Sequence, residues 1–341
     1  MLKSEWERSL RECPQNPEHH GEGDVWTHTC MVVEALRGDP EFQALSASDR
    51  EVLEAAAWLH DVAKPLCLQP DLSCPGHARK GSQMARQLLY ERGYDSRLRE
   101  MVCQLVRYHM VPYRLVDAPD WERQILQMGL SCRPELLTLL ARADARGRIC
   151  QDQQHLLDQI SLFAELAREN PPAFADDHSR VTYFRRGGDP HRVVHHQPRC
   201  RVTVMSGLPA AGKDHWIARH GGGLPVVSLD GLRDELEVSP SGDQGEVIQE
   251  ARERARGHLR AGRDFIWNAT NLSGQLRQRT LDLCFDYEAD VRLVYVEAPL
   301  SEIERRNQAR SRPVPAGVVE RMMRRWEPPE LWEGHELIQS L

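Results

Sequence analysis

The chain has 341 residues, a length for about two domains that each bury their own core. A net charge of −7 excludes a generally basic nucleic-acid coat, so a nucleic-acid partner has to be argued from individual sites. Nine cysteines lie scattered without a C-x-x-C pair, the opening Met1 to Glu7 lacks an apolar signal core, and no stretch approaches the roughly 18 apolar residues needed to span a bilayer. The expectation is a soluble cytoplasmic protein with no membrane partner.

Up to about Asn170 the hydrophobic spacing predicts helices and no strands: Val25 to Leu36, Ala47 to His60, Ala78 to Arg92, Leu98 to Tyr108, Pro134 to Ala145 and Leu156 to Arg168. The sharpest signal is Trp58-Leu59-His60-Asp61-Val62-Ala63-Lys64. An imidazole and a carboxylate side by side reach one metal, and the carboxylate can bridge to a second. His28 and Asp144 each interrupt an apolar helix face, where an unpaired polar group is costly. His77 and His109 are candidates for a second ion about 3.5–4 Å from the first. His19, His20, His195 and His196 also attract attention, but paired histidines in polar loops are usually solvated and are set aside.

The order of these residues resembles the HD phosphohydrolase superfamily: a histidine, then His-Asp followed by lysine, two further histidines and a distal aspartate. The resemblance covers about residues 20 to 165. It implies one metal on His28, His60, Asp61 and Asp144, with His77 and His109 serving a second or the phosphate, hence one or two divalent transition metals. Lys64 would stabilise developing charge during phosphate ester hydrolysis.

Residues 171–200 are rich in Pro, Gly, His and charge without periodicity and read as a linker, with a small strand at Val181 to Phe184. From Arg201 onward, strand-like runs (Val202 to Met205, Val226 to Leu229, Phe265 to Trp267, Val291 to Val296) alternate with helical ones (Gly245 to Arg260, Gln275 to Tyr287, Leu300 to Arg310, Ala316 to Trp326). Alternation of that kind predicts a parallel sheet with crossover helices. The predicted fold is therefore multidomain: an all-α domain over 1–170, a linker over 171–200 and an α/β P-loop domain with a parallel sheet over 201–341.

The first strand runs into Gly207-Leu208-Pro209-Ala210-Ala211-Gly212-Lys213-Asp214, the phosphate-loop pattern G-x-x-x-x-G-K between strand and helix. Glycines let backbone N–H groups turn inward, the helix N-terminus adds positive charge, and Lys213 reaches the β- and γ-phosphates. ATP or another nucleoside triphosphate with Mg²⁺ is the expected ligand. Asp214 stands where Ser or Thr normally meets the magnesium, so it holds the ion directly, holds it through water, or leaves it to another residue.

The second strand of this half ends in Asp230-x-x-Arg233, facing the crevice where open α/β sheets bind ligands. Asp230 suits a general base and Arg233 a phosphate anchor. Arg306 and Arg310 fall on one predicted helical face before Pro313, as in a lid that clamps a transferring phosphoryl group. Together with the phosphate loop these residues resemble the polynucleotide 5′-hydroxyl kinases over 201 to about 335. The resemblance implies phosphate contact by Lys213, activation of the 5′-hydroxyl by Asp230, an acceptor-phosphate contact by Arg233 and transfer roles for Arg306 and Arg310. In that setting Trp326 either stacks on the nucleoside base or packs.

The two halves in this order resemble the bacterial HD-Pnk end-healing enzymes. That implies RNA partners with 2′,3′-cyclic phosphate and 5′-hydroxyl ends, and a partner RNA ligase to seal them. Two rivals use the same residues: an HD hydrolase of free nucleotides fused to a small-molecule kinase, and a nucleotide-sensing module without turnover.

Overall fold

The computed structural model describes residues 6–115, 118–238, 244–310 and 312–341. Residues 1–5 of the leader reading and Ser311 of the lid segment lie outside the described residues. Contacts divide the chain into two units, residues 1–173 and 174–341.

The first unit is helical: α1 (Glu7–Arg11), α2 (Val25–Gly38), α3 (Pro40–Ala44), α4 (Ala47–Leu59), α5 (Lys64–Cys67), α6 (His77–Glu91), α7 (Ser96–Tyr108), α8 (Trp121–Gly129), α9 (Pro134–Arg146) and α10 (Gln153–Glu169). Short polar side chains start the long ones. Asp24 accepts from Thr27 N–H, Ser46 from Asp49 N–H and Asp95 from two amides, each satisfying donors that a helix leaves unpaired. One apolar cluster, including Val32, Leu36, Leu53, Leu59, Val106 and Leu140, joins α2, α4, α7 and α9. Close approach at one point is required. A Cβ on Gly147 would sit 2.7 Å from the Val32 amide nitrogen, so only glycine lets the end of α9 lie against α2. That contact brings Asp144 to His28.

In the second unit, residues 177–186 form α11 (Asp177–Arg186), where the sequence suggested linker with a strand at 181–184. β-branched Val181 and Thr182 favour strand locally, but Asp176 caps a helix by accepting from Ser179 N–H, and Val181, Tyr183 and Phe184 are buried by packing within this unit. There follow β1 (Arg201–Ser206), α12 (Lys213–His220), β2 (Val226–Ser228), α13 (Leu229–Glu235), α14 (Gly245–Arg260), β3 (Phe265–Asn268), α15 (Gly274–Asp286), β4 (Asp290–Val296), α16 (Leu300–Gln308), α17 (Ala316–Met323) and β5 (Glu336–Ser340). The sheet is parallel throughout, in the order β2-β3-β1-β4-β5. As expected of parallel strands covered on both faces, β1, β3 and β4 are almost wholly buried.

A buried ion pair closes this unit. Arg277, 1 % exposed, meets Glu333 through two hydrogen bonds of 2.7 and 2.8 Å and donates to the carbonyls of Asn271 and Glu327. Arg277→Met leaves the Glu333 carboxylate buried without its cation and is expected to cost about 3–5 kcal/mol. Urea unfolding of the second unit's transition measures it; a loss below about 1 kcal/mol would contradict the assignment.

None of the nine cysteines forms a disulfide among the described residues. No helix among the described residues is long and apolar enough to cross a membrane.

Candidate functional site

Five helix ends of the first unit converge on a buried polar centre. His28 lies in the first turn of α2, His60 follows the last residue of α4, His77 opens α6, His109 follows α7, and Asp144 sits near the end of α9. All are buried, as are Asp61 and Lys64. The sequence order therefore becomes one constellation.

The histidines share an orientation. Nδ1 of His60, His77 and His109 contacts the carbonyls of Ala57, Cys74 and Val106 at 2.7–2.8 Å, and Nδ1 of His28 contacts Glu22 Oε1 at 2.8 Å. Carbonyls and carboxylates only accept, so each Nδ1 carries the proton and each Nε2 presents a lone pair inward. His77 Nε2 and His109 Nε2 then face each other at 3.2 Å. Two lone pairs at that distance need a cation between or beside them. Nε2 of His28 and of His60 and Oδ1 of Asp61 are buried without a hydrogen bond, and all three are atom types that ligate metals.

Asp61 joins the two halves of the centre. Its Oδ2 lies 3.2 Å from His60 Nε2 and 3.8 Å from His28 Nε2, and its Oδ1 lies 3.3 Å from His77 Nε2 and 3.7 Å from His109 Nε2. Ligand atoms of His28, His60 and Asp144 form one cluster and those of Asp61, His77 and His109 a second. A carboxylate spanning two clusters is the arrangement a two-metal centre uses. Burial resists ionisation of Asp61, yet His60, Lys64 and His77 hold its carboxyl well below the usual range. Burial opposes charge on His60 too, but Asp61 and Asp144 raise its pKa, so a proton there is held by the carboxylates that would hold a cation. His109 is pushed down to about 3, by burial first and then by His60 and His77.

Several partners escaped the sequence reading. Arg148 pairs with Asp144 at 2.7 and 3.1 Å, and the Tyr113 hydroxyl donates to Asp144 Oδ2 at 2.9 Å. Lys64 Nζ lies 2.7 Å from Asp61 Oδ2 and donates to Gln15 Oε1 at 2.6 Å. Glu22 anchors His28, sits 2.8 Å from His20 Nδ1 and accepts from Ile149 N–H. His20 is thus buried rather than solvated, a correction that follows from Glu22 being folded in beside it. Arg148 lies past the end of α9 and Glu22 lies in a Gly-Glu-Gly loop, so neither belonged to a periodic segment that could have pointed to it. Outer partners of metal-binding histidines typically change affinity 10- to 100-fold. Glu22→Ala is expected to weaken Mn²⁺ or Ni²⁺ binding to the full chain by about that factor, read by calorimetric titration. An unchanged affinity would remove Glu22 from the centre.

In the second unit residues 207–212 join β1 to α12. Gly207 adopts φ 148°, and a Cβ there would lie 2.3 Å from the Val296 carbonyl oxygen, so only glycine fits. Gly212 is left-handed and opens α12, with Lys213 as its first residue. Lys213 Nζ donates to the carbonyls of Gly207 and Leu208 at 2.9 Å, curled back over the cradle formed with Pro209, Ala210 and Ala211. Burial lowers its pKa to about 8, against the pull of Asp214 and Asp230. Asp214 accepts a 2.7 Å hydrogen bond from Asn268 Nδ2.

Asp230 is the second residue of α13 rather than the end of a strand, because Ser228 caps that short helix by accepting from Gly231 N–H. Its two carboxylate oxygens meet different arginines: Arg233 Nη1 at Oδ1, and Arg310 Nη2 at Oδ2, 3.2 Å away. Arg306 Nη1 donates to the Ala211 carbonyl at 3.1 Å. α16 ends at Gln308, so Arg310 lies just past the helix and not on its face; Asn307 there binds Val314 at both N–H and C=O and turns the chain. Trp326 is 1 % exposed and packs near Tyr295, so it is a core residue and not a base-stacking platform.

Comparison with known proteins agrees with this division. The HD domain family matches residues 25–147 and the AAA domain family residues 202–329. The chain joins an HD phosphohydrolase-type domain to a kinase-like P-loop domain. A multifunctional CCA protein of Halorhodospira halophila is 35% identical over 143 residues, which are 40% of this chain and 32% of that protein. The chain thus spans about a third of the length of that curated relative. Among solved structures, a candidate kinase from Chloroflexus aurantiacus is 19% identical at a TM-score of 0.33, covering 42% of this chain and 85% of its own. A sugar kinase from Janibacter is 19% identical at 0.32, covering 41% and 85%.

Three histidines of the P-loop unit gather away from the phosphate loop. His196, set aside from sequence as solvated, is partly buried, with its ring 3.8 Å from that of His178 and parallel to it. Val291 N–H donates to His335 Nδ1, so the neutral His335 ring carries its proton on Nε2 and donates it to His178 Nδ1, 3.0 Å away. Burial lowers His335 to about 4, in keeping with that neutral form. His178 and His335 use their ring nitrogens on protein partners, whereas His196 Nε2 is buried without a hydrogen bond.

Proposed function

We propose that the chain heals RNA ends. The HD domain removes a 2′,3′-cyclic phosphate or a terminal 2′- or 3′-phosphate, and the P-loop domain phosphorylates a 5′-hydroxyl with ATP or another triphosphate and Mg²⁺. The observation that carries this reading is Asp230 between Arg233 and Arg310. A carboxylate exposed at the crevice takes the proton of an attacking hydroxyl, and two guanidiniums beside it suit an acceptor that itself carries a phosphate. A small neutral acceptor needs no such anchor.

In the HD domain, His28, His60, Asp61 and Asp144, with His77 and His109, would hold one or two divalent metals, which supply an activated water and polarise a phosphoryl oxygen. Glu22 and the backbone carbonyls orient the imidazoles through Nδ1. Arg148 and Tyr113 fix the Asp144 carboxylate. Lys64 leaves one positive charge at the edge of the centre, directed at Asp61, where negative charge develops on the substrate.

In the P-loop domain, Lys213 exchanges its two loop carbonyls for phosphate oxygens, and Arg306, already on the loop, reaches the transferring group. An RNA ligase is the partner that joins the product ends. The test is one RNA bearing a 2′,3′-cyclic phosphate and a 5′-hydroxyl, incubated with labelled ATP, Mg²⁺ and a transition metal. Both ends are expected to change. Absence of label at the 5′ end sinks the kinase half, and turnover of free nucleotides but not of RNA favours the nucleotide-metabolism rival.

A further inference from the structure

P-loop enzymes commonly divide the magnesium between a Ser/Thr hydroxyl on the loop and an Asp at the end of a strand. This chain has neither residue in its usual place. Asp214 follows Lys213 where the hydroxyl would be, and Asn268 ends β3, the strand beside β1. In the parallel register Val204 pairs with Trp267, so Asn268 lies one step further toward the phosphate loop. The two side chains meet: Asn268 Nδ2 donates to Asp214 Oδ1 at 2.7 Å. Asn268 is buried, and Asp214 is exposed.

We infer that loop and strand have exchanged roles, with Asp214 as the carboxylate for the nucleotide-bound Mg²⁺ and Asn268 as the positioning residue that aims it. The inference rests on the triphosphate reading of the loop. Charge supports it. The usual pair carries one negative charge, and so does this one, on the opposite partner. The amide uses an N–H to hold one carboxylate oxygen and leaves the other for the ion or its water. An Asp at 268 opposite Asp214 would instead set two carboxylates within hydrogen-bond distance, which disfavours ionisation of one of them.

The experiment measures ATP binding to the full chain by calorimetry, once with Mg²⁺ and once with EDTA. The wild type is expected to bind ATP in both and more tightly with Mg²⁺. Asp214→Ser is expected to lose that Mg²⁺-dependent gain, about tenfold or more, while binding metal-free ATP no more weakly than the wild type because a like charge is removed, and a melting curve reports that the domain is folded. Asn268→Asp alone is expected to lose most of the gain. The double variant Asp214→Ser with Asn268→Asp restores the common arrangement and is expected to recover it. Three results would overturn the exchange: a full Mg²⁺ gain in Asp214→Ser, equal loss with and without Mg²⁺, or a double variant no better than the singles. A wild type that binds ATP without any Mg²⁺ gain also overturns it but spares the triphosphate reading. A wild type that binds no ATP overturns both.

Discussion

Asp61→Asn is expected to abolish release of phosphate from a 2′,3′-cyclic RNA end while leaving 5′-hydroxyl phosphorylation intact. The side chain keeps its shape, but the charge that spans both histidine clusters is gone. His28, His60, His77 and His109 would then face one another through Nε2 with one carboxylate, Asp144, instead of two. Outer-shell changes alone cost about 10- to 100-fold, so loss of a direct, shared ligand should exceed about 100-fold in both metal affinity and rate. Metal titration and end-group analysis on the same preparation check it. Activity within about threefold of wild type would mean that Asp61 serves Lys64 as a structural partner and nothing more. A melting curve guards against misreading, because Lys64 loses its anion and retains Gln15.

The second large effect concerns the acceptor side of the other domain. Asp230→Asn should reduce phosphate transfer to a 5′-hydroxyl oligonucleotide by about 10²- to 10⁴-fold, the range of a lost general base. ATP affinity should stay unchanged, since Asp230 contacts the arginines and not the loop backbone. The same assay separates acceptors. If Arg233 anchors an acceptor phosphate, a nucleoside with a 3′-phosphate is a better substrate than a nucleoside without one, and Arg233→Ala erases that preference by raising KM more than it lowers kcat. Equal use of both acceptors by the wild type would direct the search to small-molecule substrates.

The phosphate loop was legible because its chemistry is local. Gly207 and Gly212 supply backbone angles, Lys213 supplies reach, and the flanking periodicities are those of a strand and a helix within one short segment. The His-Asp doublet was legible for the same reason. Long helices were read from their apolar faces, but short ones were not: α13 and α3 hang on a capping Ser228 and Asp39 and have too few residues for a period. β5 was missed because Glu336-Leu337-Ile338-Gln339-Ser340 is a half-exposed edge strand with little apolar content. α11 shows the opposite failure, a β-branched run overruled by a cap and by burial on one side.

The sequence by itself determined the chemistry: which residue types are present, their order, and the break between an all-helical half and an alternating α/β half. Periodicity and short motifs encode these, because both depend on neighbours within a few residues. Only the tertiary structure decided which groups act together. Glu22 and His28 meet across a loop, Asp144 reaches His28 through the close approach at Gly147, and Asn268 finds Asp214 through the parallel pairing of β1 and β3. Each of those contacts is made over a distance in the chain where no periodicity survives, and each is fixed by packing. The imidazole orientations belong to the same class: which nitrogen faces the centre is set by carbonyls that only the fold brings near.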